Sequence, residues 1–322
     1  MGKQIKDNDR QYNYVLLAEN SYLNEEKKKA IDFYQKALEF RGNIEDTIAI
    51  LFNIAQIYDE TDESLYALCT YEKIVEIDPE EAGAYYGMAM IYEKIGDKNQ
   101  ALKYYHKAIE IDPYYDRAYY YAANIFDENG DRDKAIEYYE KVIEIVPDDY
   151  RAHNNIGSIY EEIGEYHKAY EMVEKSLEIE PNYYKALFNM GVIYKMLKND
   201  EKAIEYYYKS IESNPGYWYS YLNISAIYIE QDKLHDAIDL LTDGINHCPS
   251  AHDLYYNRAC CYSKIGNKKD AIKDTRKAII LLPSIIEYIK VDKDFVNLYD
   301  DMEFIEMMKQ VKNNMSVERE IK

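Results

Sequence analysis

All seven prolines of this 322-residue chain fall on one 34-residue grid: Pro79, Pro113, Pro147, Pro181, Pro215, Pro249 and Pro283. Proline lacks a backbone donor and pushes the residue before it out of the helical region, so each one marks a helix end. Seven marks in register, with no insertion between them, predict seven copies of one helical unit. A period of this length belongs to stacked repeats, in which each unit buries its apolar face on its neighbours. That moves the functional expectation from catalysis toward binding.

The residues between the prolines agree. With proline at position 32, position 20 reads Ala67, Ala101, Ala135, Ala169, Ala203, Ala237 and Ala271. Position 8 is always small (Ala55, Ala89, Ala123, Gly157, Gly191, Ser225, Ala259), and position 11 is always aromatic (Tyr58, Tyr92, Phe126, Tyr160, Tyr194, Tyr228, Tyr262). Small residues let two antiparallel helices approach closely, and the ring fills the space beside them. Gly96, Gly130, Gly164 and Gly266 stand at position 15, where a helix end favours glycine.

This pattern resembles the tetratricopeptide repeat, down to the stretches Ala-Tyr-Tyr-Gly-Met-Ala-Met-Ile-Tyr at 84–92 and Lys-Ala-Ile-Glu-Ile-Asp-Pro at 107–113. The resemblance implies an all-α fold, a right-handed α–α superhelix of antiparallel helix hairpins. An eighth, degenerate copy fits residues 11–47, with Leu17, Ala18, Ala30, Tyr34 and Ala37 on positions 7, 8, 20, 24 and 27, Gly42 in place of the proline and a longer loop at Asn43–Thr47. The expected organisation is a tail over 1–10, the degenerate repeat over 11–47, seven repeats over 48–285, a helical cap over 286–312 and a flexible tail over 313–322. Terminal copies depart from the pattern because their outer helices face water.

The formal charge is −21. Nucleic-acid affinity comes mainly from Lys and Arg neutralising phosphates, so nucleic acid is not expected as a partner. No run approaches the roughly 18 apolar residues of a membrane span, and the charged start Met-Gly-Lys-Gln-Ile-Lys lacks a secretory apolar core. A cytoplasmic location and no membrane contact are the expectations. The four cysteines and six histidines show no metal-ligand spacing, and no phosphate loop or nucleophile elbow occurs, so no metal, cofactor or catalytic residue is expected.

In the family that this pattern resembles, the first helix of each unit lines a concave groove. Position 6 there reads Asn53, Gly87, Tyr121, Asn155, Asn189, Asn223 and Asn257. An asparagine amide offers both a donor and an acceptor, matching a peptide bond. The column is similar to the asparagine ladder of protein O-linked N-acetylglucosamine transferases. Position 2 adds Arg117, Arg151 and Lys185, a basic stripe that would meet an acidic side chain or a C-terminal carboxylate. Members that clamp such a carboxylate are matched at Asn124, Asn155 and Lys185, while Tyr120 and Asn189 replace the other two cations. Position 5 supplies Phe52, Tyr86, Tyr120, Phe188 and Tyr256 as apolar platforms. The resulting expectation is a non-enzymatic scaffold that binds an extended peptide segment of a partner protein. A receptor for a short regulatory peptide and a non-catalytic assembly subunit or co-chaperone are the alternatives, and self-association stays open.

Overall fold

Each proline does stop a helix. The residue before it (Asp78, Asp112, Val146, Glu180, Asn214, Cys248, Leu282) leaves the helical region, with φ between −122° and −143°. Its N–H still closes a last helical bond to position 27, so the turn is sharp without leaving that donor orphaned. The structure, a computed structural model, describes residues 2–309 except Arg41, with side chains from residue 9. Among the described residues there are helices and turns and no strand.

The helices pair as antiparallel hairpins, and two compact units divide at 152/153. The first unit holds α1 (Gly2–Leu23) with α2 (Lys27–Leu38), α3 (Ile44–Glu60) with α4 (Ser64–Ile77), α5 (Ala82–Lys94) with α6 (Lys98–Ile111), and α7 (Asp116–Glu128) with α8 (Arg132–Ile145). Helix α9 (Tyr150–Glu162) spans the division. The second unit continues with α10 (Tyr166–Ile179), α11 (Tyr184–Met196), α12 (Asp200–Ser213), α13 (Tyr219–Glu230), α14 (Leu234–His247), α15 (His252–Lys264) and α16 (Lys268–Leu281). Within each unit the second helix of one hairpin packs on the first helix of the next. No helix among the described residues is long and apolar enough to cross a membrane.

The small columns explain the close approach. Every position-20 alanine is fully buried. At position 8, a Cβ on Gly191 would stand 2.6 Å from the Tyr207 ring, and one on Gly157 would stand 2.5 Å from Val173 Cγ2. Only a hydrogen fits between those helices.

The turn inside each hairpin takes a left-handed residue at position 15. Gly96, Gly130, Gly164 and Gly266 have φ of 78–85°, and Asp62, Lys198 and Asp232 adopt the same backbone with φ of 59–61°. A side chain in that region costs about 1–2 kcal/mol. Glycine gives back about 0.4–1 kcal/mol through unfolded-chain entropy. Lys198 is exposed, so Lys198→Gly is expected to stabilise by about 0.5–1 kcal/mol net. A urea titration checks this; a midpoint at or below the parent's would contradict it.

The ends differ from expectation in three places. Helix α1 begins at Gly2, so residues assigned to a tail over 1–10 are helical. The segment read as a longer loop at Asn43–Thr47 is the first turn of α3, capped by Asn43 Oδ1, which accepts from the Asp46 N–H at 2.6 Å. The cap is not one helix: 3₁₀ turns at Pro283–Ile285 and Lys293–Leu298 flank a single turn, α17 (Ile286–Ile289), and a last helix covers 302–309. Phe295, Leu298, Phe304 and Met307 from it are buried with Ile272 and Ile279 of α16. The expected tail 313–322 lies outside the described residues.

Candidate functional site

The first helices carry the position-6 column, and its surroundings begin with the position-24 tyrosines. Tyr105, Tyr139 and Tyr207 have rings at most 1% exposed. Each buried hydroxyl finds a polar partner on a first helix. Tyr105 donates to Glu93 at 2.7 Å, Tyr139 to Asn124 Oδ1 at 2.5 Å and Tyr207 to Asn223 Oδ1 at 3.3 Å. Asn124, one of the carboxylate-clamp matches, therefore serves a core tyrosine. Burial pushes the Glu93 carboxyl above the ordinary carboxylate range, and the Tyr105 hydrogen bond partly opposes it.

In the second unit the asparagines form a connected set. Asn189 Nδ2 donates to Asn154 Oδ1 at 2.9 Å, and Asn154 Nδ2 donates to Asn155 Oδ1 at 3.3 Å. Asn154 is only 3% exposed. It takes the position-5 slot that is aromatic in five of the other repeats and was not among the expected site residues; its signal is that polar break in the column. Asn223 Nδ2 donates to the Tyr219 carbonyl at 2.9 Å. Asn257 is half-buried and makes no hydrogen bond among the described residues. Asn155, Asn189 and Asn223 are half-buried too. Each amide carries two N–H donors and two acceptor sites. One N–H of Asn189 and one of Asn223 is committed to the bonds above, which leaves each a second.

In the first unit the column is interrupted for steric reasons. A Cβ on Gly87 would meet the Tyr71 ring at 2.4 Å, so no asparagine fits at that position 6. Tyr121 instead packs against Tyr86 and Tyr105, with centroids 6.1 and 6.2 Å away. Asn53 on α3 is half-buried and makes no hydrogen bond among the described residues.

The expected aromatic platforms, Phe52, Tyr86, Tyr120, Phe188 and Tyr256, are half-buried. Phe52 packs on Tyr71, and Tyr86 packs on Tyr105, Tyr115 and Tyr121. Tyr120 packs on Tyr139, while Phe188 packs on Tyr207, Tyr217 and Tyr219. Phe52 and Tyr120 thus pack on the second helix of their own hairpin, while Tyr86 and Phe188 also reach the next repeat. Tyr256 is covered by the cap: its ring lies 5.8 Å from Phe295 and its hydroxyl donates to Asp292.

The cap also brings Cys260, Asp292 and Asp294 together, with ligand-type atoms within 4.8 Å of one another. No sequence spacing could show this, because the cysteine is about nine helical turns away along the chain. The two carboxylates already have partners. Asp292 accepts from Tyr256, and Asp294 pairs with Lys264 at 3.1 Å. Burial raises the Cys260 thiol far above its ordinary value, so it holds its proton.

Arg117, Arg151 and Lys185 are exposed. Arg151 lies over the Tyr150 ring at 5.4 Å and donates to its hydroxyl at 3.2 Å. Arg117 and Lys185 make no ion pair among the described residues, so both can meet an anionic group from solvent.

Known structures share this architecture. A tetratricopeptide repeat protein from Parabacteroides merdae aligns with a TM-score of 0.60 and 17% identity, covering 82% of this chain and 98% of that one. The pilF protein of Pseudomonas aeruginosa aligns with a TM-score of 0.56 and 21% identity, covering 66% and 96%. The Cut9–Hcn1 hetero-tetramer aligns with a TM-score of 0.58 and 16% identity, covering 91% and 54%. At these identities the likeness concerns the fold. No curated protein matches the chain by sequence. Tetratricopeptide-repeat models match residues 82–115, 150–183, 184–217 and 252–281, and a further TPR repeat model matches 123–164. The hairpins on a 34-residue grid, these matches and the structural neighbours together place the chain in the tetratricopeptide-repeat family.

Proposed function

We propose that this chain is a non-enzymatic scaffold that holds an extended polypeptide segment along its first helices, with Asn155, Asn189, Asn223 and Asn257 as rungs. Tetratricopeptide-repeat proteins are generally protein-interaction scaffolds, and the finer reading rests on one observation. Asn189, Asn223 and Asn257 recur in one register of the second unit, all half-buried, with hydrogen-bonding capacity left over and none used at Asn257. Internal bonds to Asn154 and the Tyr219 carbonyl fix the first two amides in place, which lowers the entropy lost on binding. Lys185, exposed on α11 of the same unit, would take an acidic group of the bound segment.

The test uses peptides selected from a displayed random library against the wild-type chain. Each amide contact contributes about 1 kcal/mol net, so the Asn189→Ala, Asn223→Ala, Asn257→Ala triple variant is expected to bind such peptides roughly 100-fold more weakly. Its circular dichroism should match the parent's. Unchanged affinity in a folded variant would remove the rungs from the account.

A further inference from the structure

We infer that the second unit carries a receptor site for a tyrosine side chain of a partner polypeptide, in a cavity of about 770 Å³ beside α11 and α12. Leu187 of α11, Tyr206 of α12 and Pro181, which precedes α11, line it. The sibling repeats show what belongs in this place, because there the chain fills it with a ring of its own.

Tyrosine stands at position 23 in three repeats, as Tyr104, Tyr138 and Tyr206. In two of them the ring has one aromatic neighbour from position 11 and another from position 4. Tyr104 has Tyr92 at 5.3 Å and Tyr85 at 6.4 Å between centroids. Tyr138 has Phe126 at 5.0 Å and Tyr119 at 5.7 Å. Tyr206 keeps the first neighbour, Tyr194 at 5.4 Å. Its position-4 residue is Leu187, and both side chains line the cavity.

The hydroxyl end of the slot is the second, independent sign. Tyr85 donates to the Pro79 carbonyl and Tyr255 to the Pro249 carbonyl, each six residues earlier and each at 3.3 Å. The counterpart for Leu187 is Pro181, whose carbonyl accepts from no donor among the described residues. Leucine supplies neither the ring nor the hydroxyl. A phenol supplies both, with its ring against Tyr206 and its O–H at Pro181.

Lys209 and Glu212 give the cavity one charge of each sign, which suits an uncharged ligand. The Lys209 ammonium rests over the Tyr206 ring at 4.6 Å and pairs with Glu205 at 2.6 Å. Exposed and on a long stem, it turns aside to Glu205 without losing its partner. Tyrosine is a favoured anchor at interfaces, and tetratricopeptide-repeat proteins are generally interaction scaffolds, so the phenol comes from a polypeptide.

The rungs Asn189, Asn223 and Asn257 take no part, so either reading can fail without the other. The experiment titrates the full chain, labelled with ¹³C-methyl leucine, with acetyl-Gly-Tyr-Gly-amide. The phenylalanine and leucine counterparts of that peptide are the controls, and the methyl signals of Leu177 and Leu187 are followed. The tyrosine peptide should give saturating upfield ring-current shifts with a dissociation constant of roughly millimolar order. It should bind at least about threefold tighter than the phenylalanine peptide, and the leucine peptide should give no such shift. Leu187→Tyr should fill the slot from within, as Tyr85 does, and abolish the Leu177 response while keeping the parent's dichroism. Tyr206→Leu, which removes the stacking face, should weaken binding at least about fivefold. The triple asparagine variant should keep the wild-type response. No shifts from the tyrosine peptide, equal affinity for the phenylalanine or leucine peptide, or undiminished affinity in either folded variant would overturn the inference.

Discussion

Asp274→Ala is expected to destabilise the C-terminal repeat by about 3–5 kcal/mol, because it strands a buried guanidinium. Arg258 on α15 grips Asp274 on α16 in a fork: Nε to Oδ2 at 2.6 Å and Nη2 to Oδ1 at 2.9 Å. Its remaining Nη1 donates to Thr242 Oγ1 at 2.8 Å. The side chains are 13% and 4% exposed, and the Tyr255 and Tyr262 rings lie within 5.9 Å of the guanidinium carbon. Every other repeat has an apolar residue at the position of Arg258 (Ile54, Met88, Ala122, Ile156, Met190, Ile224). The pair therefore replaces hydrophobic contact instead of adding to it. That makes the second half of the prediction: Arg258→Met with Asp274→Leu should be close to neutral, since desolvating two charges offsets much of their attraction. Hydrogen exchange in α15 and α16 reads the effect locally, which matters because stacked repeats open from their ends. Destabilisation of the double variant as severe as that of Asp274→Ala would mean that the ion pair itself, and not the stranded charge, holds these helices together.

The period was legible because it is a local property. Pro79 and its six successors stop helices through their own ring and the residue before them, with no help from distant chain. The glycines at 96, 130, 164 and 266 announce a left-handed turn for the same reason, yet Asp62, Lys198 and Asp232 take it without any such signal. There the flanking helices impose the backbone and the side chain tolerates it. Faces are harder to read than periods. Phe188 and Asn189 are adjacent on α11, and the sequence reads both as groove residues. The structure commits the ring to Tyr217 and Tyr219 at the joint with the next repeat, while the amide bonds back to Asn154 of the previous one. Tyr256 looked like the other position-5 rings until Asp292 and Phe295 of the cap came down on it. Spacing along one helix tells which residues share a face, but not what the rest of the chain lays over it.

The joint between Gly191 and Tyr207 gives the sharpest test of how the hairpins close. Tyr207→Ala is expected to cost about 3–5 kcal/mol, as other deletions of a large buried ring do. The ring is fully buried, touches Phe188 with centroids 5.5 Å apart and leaves no room for a Cβ on Gly191. Its hydroxyl also serves Asn223, so the deletion frees an amide that the core had partly occupied. Two further variants separate volume from polarity. Gly191→Leu alone should overpack and destabilise by about 1–3 kcal/mol. In the Tyr207→Ala background the same leucine enters the vacated space and should recover part of the loss, a favourable coupling in a double-mutant cycle. Strictly additive penalties would show that the two side chains do not share that volume. Tyr207→Phe should keep the packing and lose only the 3.3 Å contact to Asn223, about 1 kcal/mol or less. If the rungs act as proposed, that small change should also alter peptide affinity, because Asn223 would then lose one of the two bonds that hold its amide in place.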